Sequence, residues 1–384
     1  MRRLAAAGIA LVVATVVTMG RAEAATPSWA TQSTPSPGGF SYLGGVSCPS
    51  TTDCIAVGSF DDISLSQFET LADRWNGHSW TVLATPPTGS AGTAEWLSAV
   101  SCPTTTSCIA VGGLDPGAGP PVLVAERWNG SQWTQLSITG PGGNAHGNLL
   151  AVSCPTANLC IAVGITYATK SAGTLLAERW NGSSWAIQTT APPPSNTASE
   201  LAGVSCPTTT ACVAVGTYNG FVLAERWNGS SWTLQSIPHP TGIVSSRFWG
   251  VSCSSVALCT AVGDMTNGSG VETTRAERSN GTTWELQSSP NPAHATSSSL
   301  SGVSCPTPSD CTASGTYADS SSGYVAFAER WSGSAWVVQT VPAPTGGTDG
   351  TQLYGVFCST ATLCTAVGEA NVTTESFAFA ARYA

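Results

Sequence analysis

Fourteen cysteines carry the most regular chemistry in this chain. They form seven pairs, Cys48/Cys54, Cys102/Cys108, Cys154/Cys160, Cys206/Cys212, Cys253/Cys259, Cys305/Cys311 and Cys358/Cys364, each with a spacing of six. Thiols at such spacing serve as metal ligands or as disulfides. A structural zinc site needs four converging ligands, but successive pairs lie about 50 residues apart and the chain has only four histidines. Internal symmetry therefore selects a disulfide within each pair, worth roughly 2 kcal/mol for so short a loop. No metal and no cofactor are expected.

A second pattern sets charge beside tryptophan. Glu126–Arg127, Glu178–Arg179, Glu225–Arg226, Glu277–Arg278 and Glu329–Arg330 recur, with Asp73–Arg74 as a variant. Adjacent strand residues point to opposite faces, so an acid and its own arginine do not pair. Each is instead placed to meet a neighbouring repeat, giving a ring of ion pairs. The alternative is a multivalent lectin in which Glu, Arg and Trp line equivalent sugar sites between repeats. The tryptophan pairs, such as Trp128/Trp133 and Trp180/Trp185, are expected to pack between repeats, with Ser279 and Tyr383 replacing one member in two copies.

These residues recur because the chain is itself periodic. One unit reads "LAGVSCPTTTACVAVG", a variable stretch, "LAERWNGSSWTLQ" and a Pro-rich connection. Four strands are expected in it: Leu201 to Cys206, Cys212 to Gly216, Phe221 to Trp227, and a last one through Trp232 to Gln235. Asn228–Gly229 between the last two predicts a type I′ hairpin turn, and the sequons at Asn129, Asn181 and Asn228 are read as those same turns. Gly and Pro punctuation leaves no 3.6-residue apolar pattern for long helices. Four up-and-down strands in about 50 residues make a propeller blade.

The two ends of the chain complete one blade. Trp29 to Gln32 matches Trp232 to Gln235, a fourth strand with no first three before it. "FAFAARYA", Phe377 to Ala384, matches the third strand from Phe221 and has no fourth after it. The expected fold is all-β, a seven-bladed β-propeller with four antiparallel strands per blade. The N-terminal strand completes the last blade and closes the ring without an open sheet edge.

The unit resembles a kelch-type β-propeller repeat. "CIAVGGLDPGAGPPVLVAERWNGSQWTQL", Cys108 to Leu136, is its closest copy: a strand ending in Val-Gly, a loop, a strand ending in an aromatic, a tight turn and a Trp. The kelch double glycine occurs only at Gly112–Gly113, and paired cysteines are not a kelch feature. The Cys-paired unit also resembles secreted repeat proteins of actinobacteria, a likeness that implies a fold and no activity.

Arg2–Arg3, an apolar run from Leu4 to Met19 and "RAEAA" read as a signal peptide over residues 1–25, with the propeller over 26–384. An uncleaved anchor is the alternative, since the run is only slightly shorter than a spanning helix. No membrane span is expected after cleavage. The protein is expected to be secreted, which suits disulfides. Charged residues make up 9% of the chain, against about 25% in typical domains. With one lysine, Lys170, and no basic run, nucleic acid is not expected as a partner.

Function is sought where the repeat varies. Within a blade, the Cys hairpin and the Asn-Gly hairpin are constant in length, and both lie on one face of the disc. The other two connections vary and lie on the opposite face, where binding residues concentrate. Off-pattern side chains there are Tyr42, Trp96, Phe248, Trp249 and Tyr354, the non-repeat Arg247 and Arg275, and acids including Asp61, Asp62, Asp115, Asp264, Asp319 and Glu369. His146, His239 and His294 have no metal-ligand spacing. Tyr42, Trp96, Arg247, Trp249 and Tyr354 are the expected ligand-binding residues; no catalytic residue is assigned. Two free arginines are too few for a sialidase triad, and no cysteine is free for a copper radical site. The expectation is a monomeric, disulfide-stapled, non-catalytic binding module for a glycan or an extracellular protein. The alternative is an extracellular glycosidase or lyase using two carboxylates. Carboxylates converging beside an aromatic at the channel mouth would favour the enzyme; an apolar, capped mouth would not.

Overall fold

A computed structural model describes residues 27–86, 92–143, 146–167, 173–191, 198–320, 323–346, 350–372 and 375–384. The expected signal peptide and Lys170 lie outside the described residues. No helix among those described is long and apolar enough to cross a membrane.

β-branched and small apolar residues alternate with turn residues, and the strands follow that alternation. Blade four is representative: Ser199–Thr208, Ala211–Tyr218, Phe221–Trp227 and Trp232–Leu234 pair in sequence order as an antiparallel meander. Seven such four-stranded units lie among the described residues, the first two linked by a single parallel bridge from Phe68 to Ala94. The seventh blade orders Trp29–Gln32, Glu375–Tyr383, Leu363–Val372 and Gly350–Thr360. Its outer pair sets Trp29 opposite Tyr383 and Gln32 opposite Ala380. The chain ends therefore complete one blade, as the matched half-repeats predict.

Between blades, buried Val, Leu, Ala and Trp form separate apolar layers, each shared by two neighbouring sheets. The innermost strands come close enough for glycine alone at several points. A Cβ on Gly45 would lie 2.9 Å from Ala99 Cα, and one on Gly355 would lie 2.9 Å from the Gly44 carbonyl oxygen. The second contact joins blade seven to blade one.

The serine before each first cysteine explains its own recurrence. The amide N–H of Cys102 donates to Ser47 Oγ at 3.0 Å, and Cys154, Cys206, Cys253, Cys305 and Cys358 donate likewise to Ser101, Ser153, Ser205, Ser252 and Ser304. Each bond ties one inner strand to the preceding blade. At the junction of blades seven and one, Phe357 stands in place of the serine. That seam is held instead by Ala378 N–H on Ser41 Oγ at 3.0 Å and by Trp80 Nε1 on Gln32 Oε1 at 3.0 Å.

All fourteen cysteines are disulfide-bonded, and none is free. The bonds are Cys48–Cys54, Cys102–Cys108, Cys154–Cys160, Cys206–Cys212, Cys253–Cys259, Cys305–Cys311 and Cys358–Cys364, each closing the first hairpin of its own blade. The two cysteines of a pair are not equivalent in position. The second of each, Cys54, Cys108, Cys160, Cys212, Cys259, Cys311 and Cys364, is at most 2% exposed and belongs to an inter-blade apolar layer. These seven are thus core staples that no ligand reaches, and they take no part in a binding surface. Burial follows from strand two being the second from the axis, packed on both faces by neighbouring blades.

The Asn-Gly turns differ from expectation. Asn228 N–H donates to Ser231 O, and positive φ is confined to Gly229. The central pair is thus Gly229–Ser230, with glycine first, as in a type II′ turn rather than I′. Asn228 contributes its side chain, whose Oδ1 accepts from the amides of Ser230 and Ser231 at 2.9 Å. Asn129 and Asn181 do the same.

The ring of ion pairs does not form. The third-strand acids Asp73, Glu126, Glu178, Glu225, Glu277 and Glu329 are fully buried. Burial pushes Glu126 and Glu329 up to about 8 and Asp73, Glu178 and Glu225 up to about 7. The arginines turn the other way, toward solvent and the next blade's Cys hairpin. Arg278, Arg330 and Arg382 reach the carbonyls of Pro308, Ala361 and Thr51, and lie over the rings of Trp331, Tyr383 and Trp75. Removing both charges of a pair from water costs more than leaving the acid neutral and the arginine wet. The same burial rules out inter-blade sugar sites lined by these glutamates.

Candidate functional site at the channel mouth

Every first strand enters the propeller axis with the same local distortion. A bulge follows the residue paired with the repeat glycine, between Leu43 and Gly45 in blade one and between Phe248 and Gly250 in blade five. It pushes the preceding carbonyl onto that glycine: a Cβ at Gly58 would sit 1.8 Å from Tyr42 O, and one at Gly263 would sit 2.0 Å from Arg247 O. The Val-Gly signature of the second strand is therefore a steric requirement.

On either side of the buried residue, alternation turns the flanking side chains to the axis. The preceding position holds Tyr42, Trp96, Asn148, Glu200, Arg247, Ser299 and Gln352 in blades one to seven; the following one holds Gly44, Ser98, Leu150, Ala202, Trp249, Ser301 and Tyr354. The second set lines a central cavity of about 190 Å³ to which all seven blades contribute. The buried position between them is Phe248 in blade five and Leu in every other blade. Phe248 is therefore core rather than a face residue.

The five expected ligand-binding residues all fall on this mouth and are all half-buried, but in separate sectors. Arg247 and Trp249 stand together in blade five. Trp249 Nε1 donates to Asp264 Oδ2 at 2.7 Å, Arg247 Nε reaches Asp264 Oδ1 at 3.3 Å, and Arg247 Nη2 reaches Glu272 at 3.4 Å. The guanidinium carbon lies 5.0 Å from the centre of the indole ring. Ser299 of blade six adds a third hydrogen bond to Asp264, at 3.1 Å.

Tyr42 and Tyr354 form the second sector, edge to face with ring centres 6.2 Å apart. Tyr354 Oη donates to Glu369 Oε1 at 2.8 Å, and Gln352 Nε2 donates to the same oxygen at 3.0 Å. Burial and the Glu369 charge push both phenols well above the usual tyrosine range.

Trp96 makes the third sector. It pairs with Gly113, and a Cβ there would lie 2.8 Å from Trp96 Cζ2 and 2.8 Å from Asn148 Oδ1. The second glycine of Gly112–Gly113 thus makes room for the indole.

Arg275, expected on the face, is fully buried inside blade five. It takes the third-strand position of Leu223 and forms an ion pair with Glu277, and its Nη2 donates to Pro238 O at 2.8 Å. Arg247 is left as the only arginine at the mouth among the described residues. Glu200, Asn148, Glu272 and Gln352 were missed because they are polar loop-like residues without an aromatic signature. Aligning each first strand on its buried Leu would have found all but Glu272.

Among the described residues, the mouth is not apolar. Carboxylates stand beside aromatics, Asp264 beside Trp249 and Glu369 beside Tyr354, but on blades five and seven. Both oxygens of Asp264 and Oε1 of Glu369 accept from protein donors. No group of three potential metal ligands lies together among the described residues.

Fold and axis together define a β-propeller. Its overall chain path is similar to that of several solved structures, which bears on the fold alone. YCF48 bound to D1 peptide superposes with a TM-score of 0.57 at 14% identity, over 94% of this chain and 96% of that one. A PL25 ulvan lyase gives 0.58 at 10% identity, over 90% and 95%. The GH74 xyloglucanase from Xanthomonas campestris gives 0.55 at 14% identity, over 92% of this chain and 55% of the enzyme. No family model matches the chain, and no curated protein matches it.

Proposed function

We propose that the protein is a secreted, non-catalytic binding module whose glycan or protein ligand docks at the channel mouth. The observation that carries this reading is the divergence of a single strand position. Tyr42, Trp96, Asn148, Glu200, Arg247, Ser299 and Gln352 occupy equivalent places, yet no two agree, while the next residue is always an apolar plug. Blade packing does not call for such variety, and an asymmetric ligand accounts for it. The seven disulfides and the apolar N-terminal run with its small-residue end support secretion. A glycan array on the purified protein, followed by titration of any hit against Trp249→Ala, tests the proposal. Loss of binding with an unchanged melting temperature is expected. Binding that survives in the folded variant overturns the assignment of the mouth.

A carbohydrate-active enzyme is the second reading, favoured by Asp264 and Glu369 beside aromatics. It predicts release of reducing ends or unsaturated sugars from polysaccharides, abolished in Asp264→Asn and Glu369→Gln. No release from a broad panel of polysaccharides removes it.

A further inference from the structure

The two faces of the disc differ sharply in charge. Among the described residues, the face with the variable connections carries eleven acids against a single arginine, Arg247. Seven arginines, from Arg74 to Arg382, end instead near the opposite face, where the acids are Asp53, Glu285 and Asp310. The remaining acids and Arg275 are buried between. The fold does not require this separation, because the variable connections bear no packing constraint on their sign.

A cleft of about 240 Å³ opens on the acidic face between blades three and four. Ile165, Ala198 and Gly220 give it an apolar wall, and Glu200 and Thr217 a polar end. Thr217 Oγ1 is shut off from solvent yet has no hydrogen-bond partner among the described residues. Such a hydroxyl costs stability unless something meets it. Burial raises the Glu200 carboxyl, and Arg247 nearby opposes that rise. An apolar approach ending in a carboxylate and a spare acceptor fits a side chain with an aliphatic stem and a cationic head.

We propose that this face docks a basic peptide, an extended segment rich in lysine and arginine, with one such side chain seated in the Glu200 cleft. The inference rests on the binding reading above and names its ligand class. The stem lies along Ile165, and the ammonium or guanidinium donates to Glu200 and to Thr217 Oγ1. Other cationic side chains find the rings of Trp249 and Trp96 at the same mouth. The protein already shows how this surface holds a guanidinium: its own Arg247 is clasped by Asp264 and Glu272 and lies over Trp249. The same charges repel a polyanionic polysaccharide.

The test is fluorescence anisotropy with a labelled nonapeptide of alternating lysine and serine, and with its glutamate–serine counterpart, in slightly alkaline buffer. The basic peptide is expected to bind and the acidic one not, with binding weakened by salt. Glu200→Gln should weaken it about tenfold, the scale of one charge-assisted contact. Arg247→Gln, which removes the only arginine of this face among the described residues, should tighten it. Glu285→Gln on the opposite face should leave it unchanged. Failure of the basic peptide to bind, or equal binding by Glu200→Gln and the unaltered protein, overturns the inference. If a neutral glycan then binds and Trp249→Ala abolishes that, the binding-module reading stands while the basic-peptide inference falls. Catalytic turnover at the mouth would remove both.

Discussion

Trp29 and Tyr383, at opposite ends of the described chain, face each other across the outer strand pair of blade seven with ring centres 5.6 Å apart. Trp29 is buried, and its Nε1 donates to Gln339 Oε1 of blade six at 3.1 Å. One residue thus joins the last blade to itself and to its neighbour. Truncating a core aromatic costs about 3–5 kcal/mol, so Trp29→Ala should lower the melting temperature by many degrees, and Thr31→Ala by little. Equal melting temperatures by calorimetry would show that the N-terminal strand is not needed for closure.

Inter-blade serines should behave as a set. In Ser153→Ala the buried amide of Cys206 loses its acceptor, a loss of about 1–3 kcal/mol. Ser252→Ala should cost a similar amount through Cys305. Chemical denaturation reads both; an unchanged midpoint would mean that water replaces the hydroxyl.

Stability should fall as pH rises through neutrality. The buried acids have folded pKa values of about 7 to 8, above an unfolded value of about 4.3. The folded state therefore holds more protons than the unfolded state between those values. Their contribution is complete below the unfolded value and is lost on the way up to about 8. Melting temperature should accordingly drop from mildly acidic to mildly alkaline buffer. Glu126→Gln and Glu329→Gln, neutral at every pH, should flatten the slope; a double variant with the slope of the unaltered protein would show that these acids ionise freely.

Non-reducing peptide mapping should recover only cysteine pairs six residues apart. The double variant Cys206→Ser, Cys212→Ser should lose roughly 2 kcal/mol, the chain-entropy value for so short a loop, and keep its fold. Collapse of the whole propeller on losing one staple would mean that the disulfides carry more than local entropy.

Spacing alone determined a great deal. Seven Cys pairs, an Asn-Gly-aromatic turn in nearly every unit and two half-repeats at the ends specify blade number, strand order, disulfide pairing and closure, because each is a consequence of period. The face proposed to bear the site was singled out for the same reason, since hairpins of fixed length and connections of variable length lie on opposite sides of a meander.

What repeats hide is which way each copy turns, and that only packing decided. The Glu-Arg steps predict ion pairs between neighbouring repeats, yet strand alternation and the cost of desolvation send the acid inward, its pKa raised by burial, and the arginine outward to a carbonyl and a ring. Arg275 and Arg247 look alike as off-pattern arginines; one replaces a core leucine beside Glu277, the other reaches the axis. Phe248 and Trp249 are adjacent aromatics, and a single bulge buries the first while presenting the second at the mouth. Glu200 has no aromatic or basic signature and stands out only when the first strands are aligned on their buried Leu. The blade-four hairpin sets it opposite Thr217, and only the packing of blade five against blade four brings it near Arg247, a proximity set by the tertiary fold rather than by the order of residues.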